Sequence, residues 1–479
     1  MNSVITRFAP SPTGFIHVGG VRTALFAWLV ARQNNGRFIL RIEDTDKQRE
    51  MEGAEKHIIQ SLRWLGIDWD EGVDSNGAHA PYRQSERLII YANWARKLVE
   101  TGRAYADPYT PEEVAAFREE AKRNKVPFLY RNHRPKNPPI WDGSQPLRFK
   151  SEPQAYQWHD AVLGDLTAGE EAIDDFILVK TDGYPTYNFC HIVDDSLMEV
   201  THVIRSQEFI ASVPKFLNLY EALEVPKPIF ATLPYVMAID GNKKLSKRDG
   251  AKDILDYARE GYLPEAMINF LATLGWNDGT EQEIFTPKEL IDNFSLEQVQ
   301  KSPARFDEKR LLWLNGQWIR SLDGDDLYKR LEPFWPQEAA KHSLEYKQQI
   351  LLLVRERLKT LSDLPNITRF LFANPTPDIS LINNHKQLSK LTTMQLQEIL
   401  TMATNSLEEL ADFTPDTIQT ALNQILALTG QKPVVVFSLI RIATTWAPYS
   451  PDLAPSLSLL GKKTVVERLI AASEFLAAQ

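Results

Sequence analysis

The first fifty residues alternate between short apolar runs and a polar loop that contains proline and glycine. Residues 4–8 form a short, largely apolar run, and residues 9–20 form the loop. Apolar residues then recur at helical spacing to about residue 34, and a second apolar run starts at residue 38. This order of strand, loop, amphipathic helix and strand predicts one βαβ unit. In such a unit a ligand lies at the carboxyl ends of the parallel strands, and anions favour the helix N-terminus.

The pattern of apolar positions predicts further elements of the same domain. Helical spacing predicts helices over residues 49–65 and 88–98, with Ser85 as the N-cap of the second helix. Apolar runs predict buried strands over residues 175–180 and 200–205. Together with the opening unit, these elements predict a Rossmann-like, doubly wound α/β domain.

Two stretches depart from this pattern. Prolines scattered through charged sequence, followed by short alternating runs, predict an α+β insertion over residues 106–185. From about residue 255 the pattern is mostly helical, and residues 320–479 predict one helix after another. We therefore predict a multidomain protein, α/β in its first half and all-α in its second.

Composition narrows the class of protein without identifying it. The 479 residues are 43% hydrophobic and 24% charged, as in ordinary globular proteins. No apolar run approaches the roughly 18 residues that a membrane span needs, and residues 1–3 lead straight into the first strand, so we expect neither a membrane segment nor a signal peptide. The single cysteine, Cys190, excludes an intramolecular disulfide and fits a reducing cytoplasm.

The net charge of −9 does not by itself indicate a nucleic-acid partner. Binding to RNA needs a local basic face rather than a basic total. Candidate basic stretches, each of which could equally be solvated surface, lie within residues 118–125, 131–136 and 243–252.

The opening loop carries the first candidate chemistry. His17, Gly19 and Gly20 lie where the first helix begins, so the glycines leave room for a nucleotide and the histidine can donate to a phosphate. Glu43 and Asp44 follow the second strand and face the same crevice. Four residues alone would be better explained by a tight turn with a surface histidine.

A longer match gives this loop a specific meaning. Residues 7–14 read Arg-Phe-Ala-Pro-Ser-Pro-Thr-Gly, residues 17–25 read His-Val-Gly-Gly-Val-Arg-Thr-Ala-Leu, and residues 41–46 read Arg-Ile-Glu-Asp-Thr-Asp. This series resembles the glutamyl-tRNA synthetases of bacterial type, which are class I aminoacyl-tRNA synthetases with a variant of the HIGH signature. The resemblance extends along essentially the whole chain and is looser in the C-terminal part.

A second motif lies far downstream. Residues 244–248 read Lys-Leu-Ser-Lys-Arg and are similar to the KMSKS loop of class I synthetases. Two lysines on a loop beside Gly241 suit a clamp on a triphosphate, because their charges offset the negative charge that develops as pyrophosphate leaves. Taken by itself, this motif would fit a basic, solvent-exposed loop equally well. Its occurrence together with the His17 loop favours the catalytic interpretation.

Glutamate has two carboxylates and one ammonium group, so a selective pocket needs two cations and one anion. Arg7, Arg205 and Glu43 supply this set, each at the end of a predicted core strand. Which arginine takes which carboxylate stays open at this point. The resemblance implies the following glutamate-binding positions: Arg7, Ala9, Ser11, Glu43, Tyr187, His191 and Arg205.

Two positions depart from the family pattern. His191 stands where some relatives have asparagine and others an apolar residue. Residues 205–209 read Arg-Ser-Gln-Glu-Phe, where relatives more often have Gly-Glu and a histidine. Both departures bear on the shape of the pocket.

The resemblance also implies the nucleotide site and the reaction. The implied ATP-binding residues are His17, Gly19, Gly20, Glu208, Lys244, Leu245, Ser246, Lys247 and Arg248, and the implied catalytic residues are His17, Gly19, Lys244 and Lys247. The expected reaction forms glutamyl-adenylate and then transfers glutamate to the terminal ribose of tRNA-Glu, with no covalent enzyme intermediate.

We predict no metal-ligand set of the protein itself. Mg²⁺ is expected to arrive with ATP, because no dedicated carboxylate cage is evident, although Asp44 and Asp46 are candidates or simple helix caps. Many bacterial relatives hold zinc in the insertion with cysteines, but residues 105–134 contain none, so we expect no structural zinc.

The resemblance assigns a role to each predicted segment. It implies a catalytic domain in two halves (1–105 and 186–255), an acceptor-end-binding insertion (106–185), a stem-contact domain (256–320) and two helical anticodon-binding subdomains (321–375 and 376–479). The implied partners are L-glutamate and tRNA-Glu, with no membrane, in a cytoplasmic monomer.

Several alternatives compete with this interpretation. A glutaminyl-tRNA synthetase usually carries Glu-Pro-Asn where this chain has Ser11-Pro12-Thr13. The short paralogue that glutamylates a tRNA base lacks the long helical region after residue 320, and small nucleotidyltransferases are much shorter. A non-catalytic RNA-binding paralogue would have lost His17, Lys244 or Lys247. A non-discriminating synthetase that also charges tRNA-Gln remains open.

Overall fold

A computed structural model describes residues 3–75, 77–241, 243–245, 252–447 and 450–479. The chain forms two compact units. The N-terminal unit comprises residues 1–259 and 264–311, and the C-terminal unit comprises residues 260–263 and 312–479. No helix within the described ranges is long and apolar enough to cross a bilayer.

Most described strands lie in the first half of the chain. In chain order they are β1 (Ile5–Phe8), β2 (Arg37–Leu40), β3 (Glu71–Gly72), β4 (Ala104–Ala106), β5 (Leu147–Phe149), β6 (Tyr156–Asp160), β7 (Gly164–Ala168), β8 (Ile177–Val179), β9 (His202–Ser206), β10 (Ile229–Leu233), β11 (Val236–Met237) and β12 (Ala304–Arg305).

Helices connect these strands and make up the later part of the chain. The first ten are α1 (Val18–Gln33), α2 (Ala54–Trp64), α3 (Leu88–Glu100), α4 (Pro111–Arg123), α5 (Tyr187–Leu197), α6 (Val213–Leu223), α7 (Ile254–Arg259), α8 (Pro264–Ala272), α9 (Pro287–Asn293) and α10 (Glu308–Ser321). The others are α11 (Gly324–Leu331), α12 (Leu344–Val354), α13 (Leu364–Thr368), α14 (Ser380–Asn383), α15 (Thr393–Glu408), α16 (Pro415–Thr429), α17 (Pro433–Thr445), α18 (Leu453–Leu460) and α19 (Lys462–Ala477).

Parallel strands form the centre of the N-terminal unit. β1 pairs with β2, β2 with β3, and β9 with β10, all in parallel. Two bonds join β1 to the start of β9: the Thr201 N–H donates to the Ile5 carbonyl at 2.9 Å, and the Ile5 N–H donates to Thr201 Oγ1 at 2.8 Å. The carboxyl ends of β1, β2 and β9 therefore meet at one edge, as the predicted Rossmann-like α/β domain requires.

The first βαβ unit forms as its sequence predicts. His17 caps α1, because its Nδ1 accepts from the Gly19 N–H at 3.1 Å. The helix buries apolar residues over nearly its whole length, including Val21, Leu25 and Leu29. Gly36 lets the chain return into β2, since a Cβ there would lie 2.0 Å from the Val4 carbonyl oxygen.

The start of α3 corrects one prediction. Ser85 does not cap this helix; it lies in the 3₁₀ turn Gln84–Glu86, and α3 begins at Leu88 without a side-chain cap bond. The Ser85 N–H donates instead to Asp44 Oδ1 at 2.8 Å. The polar residue therefore fixes a long-range contact with the end of β2, which local capping rules do not anticipate.

Residues 104–179 contain the antiparallel sheet β4-β5-β8 and a buried polar network. Asp175 is 4% exposed and accepts from Arg134 Nε at 2.7 Å, Ser151 Oγ at 2.7 Å and Tyr105 Oη at 3.0 Å. Both carboxylate oxygens accept hydrogen bonds. Asp175 therefore links its own segment to three others, which contain Tyr105, Arg134 and Ser151.

A second carboxylate holds the neighbouring segment. Asp107 is 3% exposed and binds Arg148 through Nε at 2.8 Å and Tyr130 through Oη at 2.5 Å. The guanidinium of Arg148 also lies 3.4 Å from the centre of the Tyr130 ring. Ion pairs and aromatic packing thus fix the segment around Tyr130.

The C-terminal unit is helical, as its apolar periodicity predicts. Its described core is built from fully buried side chains of α15, α16, α17 and α19, among them Leu400, Leu422, Leu439 and Leu469. The helices start at clear signals: Thr392 forms a capping box with Gln395 at the N-terminus of α15.

Candidate active site

A cavity of about 520 Å³ opens at the edge where β1, β2 and β9 end. Twelve residues predicted from the sequence line this cavity: Arg7, Ala9, Ser11, His17, Gly19, Gly20, Glu43, Tyr187, Arg205, Glu208, Lys244 and Leu245. The structure therefore brings together residues that are up to 238 positions apart in the sequence. Ser246, Lys247 and Arg248 lie outside the described residues.

Arg205 is the most unusual side chain in the cavity. It is 6% exposed, yet its Nε, Nη1 and Nη2 atoms have no hydrogen-bond partner among the described residues. Its guanidinium lies 5.1 Å from the ring of Phe216 and 5.5 Å from that of Phe209. Aromatic faces stabilise a cation only partly, so Arg205 is poised to bind an anion that enters the cavity.

Arg7 is also buried, but part of its guanidinium is already used. Its Nε faces both carboxylate oxygens of Asp195, at 3.2 and 3.3 Å, and its Nη1 donates to the Ile204 carbonyl at 3.4 Å. Asp195 thus fixes Arg7 across the junction between β1 and β9. The guanidinium remains part of the cavity wall.

Arg41 extends the same network to Glu43. Arg41 is fully buried and contacts Asp195 at 2.8 Å through Nη1 and Glu43 at 3.0 Å through Nη2. Burial alone would raise the pKa of Asp195, but Arg7 and Arg41 outweigh burial and hold this pKa well below its usual range. Asp195 is therefore ionised at any physiological pH.

Asp194 completes the buried cluster. It accepts from Arg87 Nε, Gln84 Nε2 and Tyr91 Oη, each at 2.8 Å. The cluster as a whole contains four arginines (Arg7, Arg41, Arg87 and Arg205) and three carboxylates (Glu43, Asp194 and Asp195). Arg22, which is 2% exposed, also lines the cavity, so buried arginines outnumber buried carboxylates around it and favour an anionic ligand.

Burial raises the pKa values of both Glu43 and Tyr187, with a different consequence for each group. Burial raises the pKa of Glu43 above its usual value, although Arg41 and Arg7 oppose the shift. Burial also raises the pKa of Tyr187 to about 12, against the opposing effect of Arg205. Tyr187 therefore presents a neutral hydroxyl group to the cavity, whereas Glu43 titrates above an ordinary glutamate.

His191 differs from the other residues predicted for the amino-acid pocket, since it is not among the described residues that line the cavity. It is fully buried, stacks on Tyr187 with ring centroids 4.6 Å apart, and its Nδ1 lies 2.6 Å from the Tyr187 carbonyl oxygen. Burial lowers the pKa of His191 well below its usual range, and Arg205 acts in the same direction. The neutral imidazole supports Tyr187 from behind.

His17 lies at the N-terminus of α1 with a defined tautomer. Because the Gly19 N–H donates to Nδ1, the neutral ring carries its proton on Nε2. A Cβ at Gly19 would come within 3.1 Å of His17 Cε1, and one at Gly20 within 3.1 Å of Ile16 Cγ1. The two glycines therefore let the side chains of His17 and Ile16 pack closely against the first turn of α1.

Lys244 marks the opposite wall of the cavity. Its ammonium group lies 2.7 Å from Glu208 and 4.6 Å from the centre of the Tyr235 ring. Leu245 anchors the same segment to β11, because its N–H donates to the Val236 carbonyl at 2.9 Å. Lys244 is about half exposed, so an incoming anion can compete with Glu208 for it.

The two aspartates that follow β2 do not form a metal site. Asp44 bonds to Lys47 at 3.1 Å and to the Ser85 N–H at 2.8 Å, and Asp46 pairs with Arg49. Across the described ranges, no group of three or more His, Cys, Asp or Glu side chains is arranged to hold a metal ion.

Sequence reasoning missed Arg41, Asp194 and Asp195. Each is a charged residue within or directly after an apolar run, in Phe-Ile-Leu-Arg-Ile and Ile-Val-Asp-Asp. A charge in such a position is buried and must be paired. That signal predicts burial but does not identify the partners, which come from elements far apart in the chain.

Models of two protein families match the chain. The model described as "tRNA synthetases class I (E and Q), catalytic domain" matches residues 3–313. The model described as "Anticodon binding domain" matches residues 326–473. Together they cover most of both structural units.

Curated relatives match along nearly the full length. The chain is 38% identical to a glutamate–tRNA ligase of Dehalococcoides mccartyi over 475 residues, which are 98% of this chain and 96% of that protein. It is also 38% identical to the glutamate–tRNA ligase of Bacillus subtilis over 484 residues, with 98% and 99% of the two chains covered.

Solved structures show the same similarity. A glutamate tRNA ligase from Elizabethkingia meningosepticum, solved in complex with its amino acid, superposes with a TM-score of 0.87 at 33% identity, over 99% of this chain and 100% of that one. The glutamate-tRNA synthetase of Elizabethkingia anophelis gives 0.85 at 32% identity, with the same coverage. The chain belongs to the glutamate–tRNA ligases, a family of class I aminoacyl-tRNA synthetases.

Proposed function

We propose that this chain attaches L-glutamate to tRNA-Glu in two steps, through a glutamyl-adenylate, and that the cavity beneath Arg205 binds the amino acid. The observation that carries the proposal is the buried guanidinium of Arg205, which has no hydrogen-bond partner among the described residues and lies where buried arginines outnumber buried carboxylates. L-Glutamate carries a net charge of −1 at neutral pH and is small enough for the cavity.

Three charged groups recognise the amino acid. Arg7 and Arg205 bind its two carboxylates, and Glu43 accepts hydrogen bonds from its ammonium group. Ser11 and Tyr187 line the same cavity and add neutral hydrogen bonds. Because Asp195 and Arg41 hold Arg7 and Glu43 in place, the pocket is organised before the substrate arrives.

The same charges reject glutamine. A glutamine molecule has no net charge, so it would leave the cluster with its excess positive charge and one arginine without a carboxylate. An unpaired buried charge costs several kcal/mol. This penalty is large enough for strong discrimination at the adenylation step.

The glutamate α-carboxylate then attacks the α-phosphate of ATP. The N-terminus of α1 and the Nε2–H group of His17 face the phosphates, while Gly19 and Gly20 allow their close approach. Mg²⁺, bound with ATP as part of the substrate, offsets phosphate charge. Lys244 moves from Glu208 to the leaving pyrophosphate, and Lys247, for which the sequence motif is the support, acts with it.

The terminal ribose hydroxyl of tRNA then attacks the adenylate carbonyl, and AMP leaves. The matched anticodon-binding model supports a tRNA partner for the C-terminal unit. The absence of cysteine from residues 105–134 supports our expectation that the insertion holds no zinc. The single cysteine supports a cytoplasmic location, and we expect a monomer.

A charging assay tests the function directly. With ATP and Mg²⁺ present, the purified chain should charge a tRNA-Glu transcript with glutamate and should not accept glutamine. A parallel assay with tRNA-Gln decides between a discriminating and a non-discriminating enzyme. A folded protein that charged neither tRNA would contradict the proposal.

Replacing the unpartnered arginine should separate binding from stability. In Arg205→Met the Michaelis constant for glutamate should rise about a hundredfold, because the substrate carboxylate loses its charged partner. The melting temperature of the ligand-free protein should stay the same or rise, since a buried unpaired charge has been removed. Pyrophosphate exchange and differential scanning fluorimetry measure the two effects.

A matched control is Arg148→Met in the insertion. Arg148 is as buried as Arg205 but is paired with Asp107, so its replacement leaves a buried carboxylate and should lower the melting temperature. If Arg205→Met destabilised the protein as much as Arg148→Met, the result would indicate that Arg205 pairs with a group of the protein. This outcome would contradict its assigned role in binding glutamate.

Glu43 should give the reaction a characteristic pH dependence. Its pKa is raised by burial, and only its ionised form neutralises the substrate ammonium group. As the pH falls through this raised pKa, Glu43 takes up a proton and kcat/KM for glutamate should decrease at a pH above the ordinary value of 4.5. In Glu43→Gln this acid limb should be absent and kcat/KM should be low throughout. An acid limb that persisted unchanged in the variant would exclude Glu43 as its origin.

The lysines should act on catalysis rather than on glutamate binding. Lys244→Ala and Lys247→Ala should each lower kcat of glutamate-dependent pyrophosphate exchange about tenfold or more, the effect of one lost charge contact in the transition state. The Michaelis constant for glutamate should change little. Lys243→Ala, which removes an exposed neighbour outside the cavity, serves as the control. Normal exchange in well-folded Lys244→Ala would refute the assigned role.

A further inference from the structure

His57 on α2 contacts two stretches of chain that meet beside the active-site cavity. Its ring stacks on Phe15 with centroids 4.4 Å apart, and its Nδ1 accepts from the Ile16 N–H at 3.4 Å. On its other side, Nε2 lies 2.6 Å from Asp253 Oδ1. The side chain is 8% exposed, so these contacts are largely shielded from water.

The directions of these hydrogen bonds define the tautomer of the neutral His57 ring. A backbone N–H can only donate, so Nδ1 of His57 is the acceptor and the ring proton of the neutral form sits on Nε2, directed at Asp253. Asp253 uses the same oxygen to cap the following helix, where it accepts from the Leu255 N–H at 2.8 Å. One carboxylate oxygen thus joins α2 to the start of α7.

Backbone contacts run parallel to this side-chain link. Asp253 forms an antiparallel bridge with His17, and the Ile254 N–H donates to the Ile16 carbonyl at 3.4 Å. Residues 15–17 and 253–254 therefore form a short two-stranded junction, and His57 binds both of its sides. His17 follows directly as the cap of α1 and lines the cavity.

In the sequence, the junction lies at the far end of residues 244–253, which we call the lysine loop and of which residues 246–251 lie outside the described structure. The near end, Lys244-Leu245, is held by β11 through the bond between the Leu245 N–H and the Val236 carbonyl. The far end is held at Asp253 by His57 and the His17 segment. Both ends of the segment that contains Lys247 are thus fixed to walls of one cavity.

We propose that His57 and Asp253 are positioning residues for adenylate formation, which hold the His17 segment and the end of the lysine loop in a fixed relation. This inference rests on the proposed function, since it concerns the groups assigned there to ATP. Neither residue lines the cavity in the described structure, so they act through His17 and the lysine loop. A positioning role predicts an effect on turnover and not on glutamate affinity.

Two variants test the inference. His57→Phe keeps an aromatic ring against Phe15 but removes both nitrogen contacts, and Asp253→Asn keeps an oxygen for the Leu255 cap while removing the charge. Each should lower kcat of pyrophosphate exchange about tenfold and leave the Michaelis constant for glutamate within about twofold of wild type. The double variant should lose no more than the stronger single variant, because the two residues act through one contact.

Glu308→Gln provides the matched control. Glu308 pairs with Lys252, the residue next to Asp253, at 3.0 Å, and its side chain is more than half exposed. Its removal should leave kcat unchanged. Unchanged kcat in well-folded His57→Phe, or a loss that appears only in the Michaelis constant for glutamate, would overturn the inference.

Hydrogen exchange of the ligand-free protein gives a readout that does not depend on activity. In His57→Phe the amides of residues 15–17 and 253–255 should exchange at least fivefold faster than in wild type, whereas Glu308→Gln should leave them unchanged. Equal exchange in His57→Phe and wild type would refute the junction. Wild-type protein that failed to exchange pyrophosphate with glutamate, ATP and tRNA-Glu all present would refute the proposed function alone.

Discussion

The active site depends on the carboxylate of Asp195, which is buried between two arginines. Asp195 reaches Arg7 at the end of β1 and Arg41 at the end of β2, and it comes from α5, far along the chain. Since each charge is buried, each requires the others to be in place. The carboxylate therefore fixes where three elements meet, and among the described residues it leaves Arg205 as the arginine without a hydrogen-bond partner.

The buried arginines thus fall into two groups: those that hold the pocket together and one that is available to a ligand. The guanidinium groups of Arg41 and Arg87 form ion pairs with carboxylates of the protein, and that of Arg7 does so with part of its nitrogen atoms. Arg205 is left with two aromatic rings as its neighbours. The network holds the pocket rigid, while the excess charge is reserved for a ligand. A site with full internal pairing would be more stable and would bind glutamate less tightly.

Much of the fold could be predicted from the sequence, because local signals and periodicity agree there. The strand, loop and helix around His17 follow from apolar spacing, from glycines and from a capping side chain. The helical second half follows from its apolar periodicity. The charged cluster could not be predicted in the same way, because Asp194, Asp195 and Arg41 are paired by tertiary contacts. Ser85 shows the same limit, since a long-range bond to Asp44 replaced the local cap.

The residues of the candidate site could be predicted mainly from its longest sequence motifs. The residues around His17 and Lys244 carry recognisable spacing, whereas His57 lies in an ordinary amphipathic helix whose pattern predicts only a buried face. Its contacts with Ile16 and Asp253 depend on how α2 packs. Sequence patterns therefore located the groups that would meet the substrate better than the groups that hold them.

The unpartnered state of Arg205 also links the amino acid to the folding equilibrium of the enzyme. A ligand that binds only the native state stabilises it by an amount that grows with the logarithm of its concentration. Here glutamate would do so by supplying the missing counter-charge to a guanidinium that the free protein keeps dry. Glutamate would then stabilise the folded state of the N-terminal unit in addition to serving as the substrate.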